Sequence, residues 1–252
     1  MFRVAPSAAR TVLAILALSC VFGAGLASAA DVGSIRFTLG YKRLSSDWNV
    51  EAPQTNAAGD TVAKRASQPA LGIEATWGRS GWPVLLAVDV LHSYDDGLTR
   101  YPGISLGSLI IPAADVRRRA STFELGVGVR RGWTLKGLSP YLGAGGSYVR
   151  GTVVNEMTYP TPGQVGAFGP SNHAQDWSLG FWAGGGVFRH LGPRFQLGLT
   201  GRYSKAKLSI PETSVVGENG GYHFVPGTRT GDIEAGGTHI GLVAGWSFPA
   251  RK

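Results

Sequence analysis

Downstream of residue 30, apolar and polar residues alternate in eight separate runs. This period of two puts successive side chains on opposite faces of a strand. In the first run Ile35, Phe37, Leu39 and Tyr41 interleave with Arg36, Thr38, Gly40 and Lys42. The second sets Leu71, Ile73, Ala75 and Trp77 against Gly72, Glu74 and Thr76. After the turn Gly78-Arg79-Ser80-Gly81, the third carries Val84, Leu86, Val88 and Val90 with Asp89 opposed. The fourth carries Phe123, Leu125, Val127 and Val129 against Thr122, Glu124, Gly126, Gly128 and Arg130. A glycine-rich fifth holds Leu142, Ala144, Gly146 and Tyr148, and the sixth Trp177, Leu179, Phe181, Ala183 and Val187. In the seventh, Phe195, Leu197, Leu199 and Tyr203 alternate with Gln196, Gly198, Thr200 and Arg202. Ile240, Leu242, Ala244, Trp246 and Phe248 close the set.

Three features put the apolar face on the outside. The runs reach about 10 to 14 residues, enough for a tilted strand to cross a bilayer and longer than most globular strands. Aromatic residues sort to the two ends of the apolar face. Tyr41, Tyr94, Phe123, Tyr148, Trp177 and Tyr203 lie beside the long connections, and Trp77, Phe195, Trp246 and Phe248 lie at the opposite ends. Two such rings are the girdles of a membrane barrel. The connections then alternate: those at 45–67, 95–117, 153–175 and 211–233 are long and polar, while those near Gly78, Trp133 and Gly192 are short. The pattern predicts an all-β, eight-stranded antiparallel up-and-down transmembrane β-barrel, with both termini in the periplasm and four long extracellular loops. A soluble periplasmic barrel or sandwich is the competing reading.

The amino-terminal stretch reads as a signal peptide over 1–30, with the barrel domain over 31–252. Arg3 and Arg10 form a basic start, residues 11–26 are mostly apolar, and Ala27-Ser28-Ala29 has the small-residue cleavage pattern. Cys20 after Ala17-Leu18-Ser19 offers a lipoprotein alternative, for which Ala17 is a poor match. Cys20 is the chain's one cysteine, so the mature part has no disulfide, Cys-ligated metal or Cys nucleophile. Removing the leader's two arginines takes the net charge from +8 to +6. That excess suits anionic lipid, and export argues against nucleic acid.

By parity, Arg36, Glu74, Asp89, Glu124, Arg130 and Arg202 face inward. An eight-stranded barrel is only wide enough for its own side chains, so these six are expected to pair as a plug, or else to form a gate. Lys42, Arg43, Arg117, Arg118, Arg119, Arg150, Lys205 and Lys207 gather at the predicted outer rim, where they could hold lipopolysaccharide phosphates or form a solvated basic edge. Ile104, Leu106, Leu109, Ile110 and Ile111 are apolar for a loop. They extend a strand, pack on another loop, or form an apolar entrance. Gly103-Ile104-Ser105-Leu106-Gly107 matches the nucleophile-elbow spacing, but that motif needs a strand-turn-helix elbow and no helix is predicted. His92 and Ser93 are adjacent and so fall on opposite faces, while His173, His223 and His239 lack metal-ligand spacing. No enzyme activity, metal or cofactor is expected.

The leader, the eight runs, the Pro140-Tyr141-Leu142-Gly143-Ala144-Gly145-Gly146 opening and the Trp246-Ser247-Phe248 close resemble the small outer-membrane β-barrel superfamily of OmpA, OmpX and OmpW type. The resemblance covers essentially the whole mature chain. It implies a monomer in the bacterial outer membrane, surrounded by lipid and lipopolysaccharide, placed there by the barrel-insertion machinery and open to an extracellular ligand. One departure is that Pro249-Ala250-Arg251-Lys252 follows the aromatic Phe248 on which such chains often end. The functional expectation is a non-enzymatic barrel with an ion-paired lumen and loops for surface structure or interaction. The alternative is a narrow porin-like channel for small or apolar solutes.

Overall fold

The computed structural model describes residues 32–44, 54–55, 61–62, 67–159, 167–218 and 221–248, so the stretch expected to be a signal peptide, with Cys20, and the residues after Phe248 lie outside it. In chain order the strands are β1 (Val32–Leu44), β2 (Gln54–Thr55), β3 (Thr61–Val62), β4 (Ser67–Gly78), β5 (Leu85–Tyr101), β6 (Ile104–Leu106) and β7 (Leu109–Ile111). There follow β8 (Ala114–Gly132), β9 (Leu138–Tyr159), β10 (Ala167–His190), β11 (Phe195–Lys205), β12 (Lys207–Glu218), β13 (Gly221–Glu234) and β14 (Gly237–Phe248). Eight of them close a barrel in the order β1-β14-β11-β10-β9-β8-β5-β4, each antiparallel to its neighbours. The first strand seals against the last from Gly33↔Phe248 to Leu44↔Gly237. The expected eight-stranded meander is therefore the fold.

One end of the barrel is closed by tight turns. Between β8 and β9, Lys136 and Gly137 both have positive φ, 46° and 86°, as a two-residue type I′ hairpin requires. Leu135 and Leu138 bracket the turn and exchange backbone hydrogen bonds of 2.8 and 2.9 Å. The other end carries the long hairpins.

Near the turns, the apolar phase of every barrel strand points outward. Leu179 is 74% exposed and Leu242 61%, values that water would penalise. Glycines on the inward phase make room for the large lumen side chains. A Cβ on Gly126 would run into the carboxylate of Asp89, its register partner, and one on Gly143 would meet the Trp182 ring at 3.3 Å.

Toward the long-hairpin end the faces exchange roles along continuous strands. On β8 the outward residues Phe123, Leu125, Val127 and Val129 give way to Asp115, Arg117, Arg119 and Ser121, while inward Thr122, Glu124 and Arg130 give way to Ala114, Val116 and Ala120. On β9 the apolar residues turn inward from Val149 through Val153 to Met157, and Arg150, Thr152 and Glu156 take the outside.

This reversal corrects the expectation that 95–117, 153–175 and 211–233 are loops. β5 continues to Tyr101, β9 to Tyr159, β10 begins at Ala167, and β12 pairs with β13 as a separate ribbon. Alternation persists there with its phase inverted, so a search for one constant apolar face loses the strand.

Candidate functional site

All six charges assigned inward by parity face the lumen, where they fall into two ion-paired groups. Glu74 of β4 accepts from Arg36 Nη1 of β1 at 2.7 Å and pairs with Arg130 of β8. Asp89 of β5 pairs with Arg202 of β11, whose Nη2 lies 3.3 Å from Glu124 Oε2 of β8. Arg36 and Glu74 meet as register partners on neighbouring strands, whereas Asp89 and Arg202 meet across the barrel. Their charges neutralise one another away from water, as burial requires.

Lys42 corrects the rim assignment. It is fully buried, as is Glu124, and the two form an ion pair inside the barrel. Its Nζ also donates to Thr122 Oγ1 at 3.2 Å and to the Ala235 carbonyl at 2.9 Å. Strand parity with Arg36 already put Lys42 inside; proximity in sequence to exposed Arg43 does not change its face.

Aromatic rings form the floor toward the turns. Tyr141 and Phe188 stack at 5.0 Å and 8°, and Val243 packs with them. The Arg130 guanidinium lies 3.1 Å over the Tyr141 ring and that of Arg36 4.4 Å over Phe188, so the cations are held by π faces as well as by Glu74. Tyr141 Oη also bonds Thr200 Oγ1 at 2.5 Å. Above the floor, Arg202 sits over Trp182 at 5.0 Å.

Beside Glu124 a ring of small polar groups completes the layer. Ser93 donates to Gln68 at 2.9 Å and bonds Thr122 at 2.6 Å, and Ser204 donates to Glu124 at 3.2 Å. His239 of β14 is buried here with Nε2 unpartnered, flanked in register by Lys42 on β1 and Arg202 on β11. Sequence reasoning missed Gln68, Tyr141, Trp182, Phe188 and His239 as lumen residues. Their signal was phase: each falls on the polar parity of its strand.

The β12–β13 ribbon caps this polar column. Its inner residues Leu208 and Ile210 pack with Ala120, Val149, Val153, Ala206 and Ala235, all of them buried. The Asp176 carboxylate on β10 accepts the Ser209 backbone N–H at 2.6 Å and ties the ribbon to the wall. A second apolar layer joins Ile111, Ala114, Val116, Met157 and Tyr222, with the Tyr222 hydroxyl donating to the Pro102 carbonyl at 2.7 Å. Ile111 of the apolar loop segment therefore packs on another hairpin.

The remaining rim cations separate into two groups. Arg43, Arg117, Arg119, Arg150, Lys205 and Lys207 stay near the edge, but several already hold partners: Arg117 with Asp96, Arg119 with Glu156 at 3.0 Å, Lys205 with Glu234 at 3.7 Å and Arg150 with Gln175 at 2.5 Å. Arg118 is a second correction, since as the even-numbered residue of an inward phase it points into the barrel. The girdle residues Tyr41, Trp77, Tyr94, Tyr148, Trp177, Tyr203, Trp246 and Phe248 all lie on the outward phase. Tyr148 stacks on Trp177 at 5.7 Å, and Phe195 meets Trp246 edge-on at 5.1 Å. Ser105 sits mid-strand in β6 opposite Ile110, with a second strand following rather than a helix, so the nucleophile-elbow geometry is not formed. His92 and Ser93 are on opposite faces, with Ser93 committed to the lumen.

No protein-family model matches the chain, and no curated protein matches it. Among solved structures it is similar to Neisserial surface protein A at 16% identity, covering 86% of this chain and 96% of that one with a TM-score of 0.42. It is also similar to Ail, the attachment invasion locus protein of Yersinia pestis (13%, 86% and 98%, TM-score 0.41). The N-terminal β-barrel domain of Pseudomonas aeruginosa OprF gives 10%, 87% and 98%, with a TM-score of 0.38. The closed eight-stranded antiparallel barrel expected from the alternation stands on this chain's own strand pairing.

Proposed function

We propose that the chain spans the bacterial outer membrane as a closed, non-enzymatic barrel, with turns and termini in the periplasm and the long hairpins outside as a structured surface. The reversal of faces along β8 and β9 carries this reading. Apolar side chains point outward only over the turn-proximal part, where hydrocarbon would surround them, and inward beyond it, where water would. A soluble barrel would keep its apolar face inside throughout.

Within the membrane the paired lumen acts as a plug. The Arg36, Arg130, Arg202 and Lys42 cations each hold a carboxylate, an aromatic floor lies below them, and the β12–β13 ribbon lies above. At the outer edge Arg43 and Arg150, neither ion-paired among the described residues, are the cations best placed to meet lipopolysaccharide phosphates.

Conductance in planar bilayers tests the plug. The purified, refolded protein is expected to be electrically silent in 1 M KCl, where the Debye length is about 3 Å. Discrete steps abolished by stabilising the Lys42–Glu124 pair would instead make the lumen a narrow gated pore. Recovery of the protein in the soluble periplasmic fraction would overturn the membrane reading.

A further inference from the structure

We propose that Arg118 is the anchor of a binding site for a small organic carboxylate on the inner face of the extracellular hairpins. The inference goes beyond the plug reading and does not depend on whether the lumen conducts.

Three consecutive arginines, Arg117, Arg118 and Arg119, stand on β8. Arg117 and Arg119 face outward, where Arg117 Nε donates to Asp96 Oδ1 at 2.8 Å and Arg119 Nη1 to Glu156 Oε1 at 3.1 Å. Arg118 faces inward, and no carboxylate lies within ion-pair distance among the described residues. Arg36, Arg100, Arg117, Arg119, Arg130 and Arg202 each have one. The Nε of Arg118 is buried with no hydrogen-bond partner.

Its surroundings make that isolation costly. Two residues along β8 in one direction is Ala120, in the apolar layer with Val153; two in the other is Val116, in the layer with Met157 and Tyr222. Burial among such neighbours draws the guanidinium below its ordinary value, with only the Tyr101 phenol acting against it. A cation held between two apolar layers lacks the compensation that the other inward arginines receive.

The same surroundings define what would complete it. A guanidinium fork matches a planar carboxylate with two parallel hydrogen bonds. Asn155, the register partner of Arg118 on β9, is buried beside it and supplies a neutral amide at the same level. Val116, Met157 and Val153 are packed in the apolar layers on either side, so they give the guanidinium and its anion a surround of low polarity. Arg118 is only half-buried, so a solute can reach it.

Benzoate is a suitable probe, with benzyl alcohol as its uncharged counterpart. Binding is measured by calorimetry on the full barrel in zwitterionic nanodiscs, with empty nanodiscs as blank. Saturable benzoate binding is expected and none for the alcohol. Arg118→Gln should weaken it by about tenfold or more, Arg118→Lys should recover part, and Arg119→Gln should leave it unchanged. Mass spectrometry of phenylglyoxal labelling keeps the proposal testable if the Arg118 variants do not fold, since benzoate should slow modification of wild-type Arg118 and not of Arg117. Absence of saturable binding, equal loss in Arg119→Gln, or no protection of Arg118 would overturn the site.

Discussion

The two halves of this barrel are built from the same strands on opposite rules. In the turn-proximal half, charge and hydrogen bonds fill the interior and Leu, Val and Phe form the wall. In the hairpin half, Val149, Val153, Met157, Leu208 and Ile210 fill the interior, and ion pairs such as Asp96–Arg117 decorate the wall. The surroundings decide which arrangement is stable: hydrocarbon cannot satisfy an outward charge, and water penalises an outward leucine. Strand geometry is the same for both because alternation is indifferent to which phase is apolar.

The sharpest way to break the contrast is to unbalance the polar interior. Glu124→Ala leaves Lys42 without its carboxylate in a site that excludes water. It is expected to destabilise the barrel by about 3–5 kcal/mol in denaturant titrations monitored by heat-modifiable gel mobility. The double variant Lys42→Met with Glu124→Leu should lose much less, and equal losses would mean that the pair is not the cause.

Outward charge should separate the halves next. Val127→Arg puts a guanidinium on the turn-proximal wall and is expected to cost about 2–4 kcal/mol. Thr152→Arg, outward on the hairpin half of β9, should stay within about 0.5 kcal/mol. Similar costs at both sites, measured in the same lipid, would mean that the two halves do not differ in their surroundings.

The smallest effect belongs to the exposed Asp96–Arg117 pair. The hydrogen bonds from Arg117 hold the Asp96 carboxyl below its ordinary value, so its contribution is complete above the unfolded carboxylate range. That contribution is lost as pH falls through the lowered native value, below about pH 4. Asp96→Asn should change stability by no more than about 1 kcal/mol at neutral pH, and the change should shrink in high salt. A change that persists in 1 M salt, at a Debye length of about 3 Å, would mean the pair is shielded from solvent.

How much of this was legible in the sequence depends on the range of the determining contacts. Strand parity is local, and it puts Arg36, Glu74, Asp89, Glu124, Arg130 and Arg202 on the inward phase where their ion pairs lie. Lys42 and Arg118 were misplaced when clustering along the chain was set above the parity that already decided them. The aromatic floor was missed because Tyr141 and Phe188 look like further apolar residues until their phase is compared with Leu142 and Val187. The cap was out of reach of pattern, since Leu208 and Ile210 meet Val149 and Val153 only through the tertiary fold.

Lys42 has one more consequence, for assembly. It lies on the first strand of the barrel, its carboxylate partner lies on β8, and its backbone acceptor, Ala235, sits just before the last strand. Its charge is therefore matched once β8, the fourth of the eight barrel strands, is in place, and its bond to Ala235 only when the chain reaches the start of β14. One buried lysine thus ties the first barrel strand to the fourth and to the junction between the ribbon and the last strand.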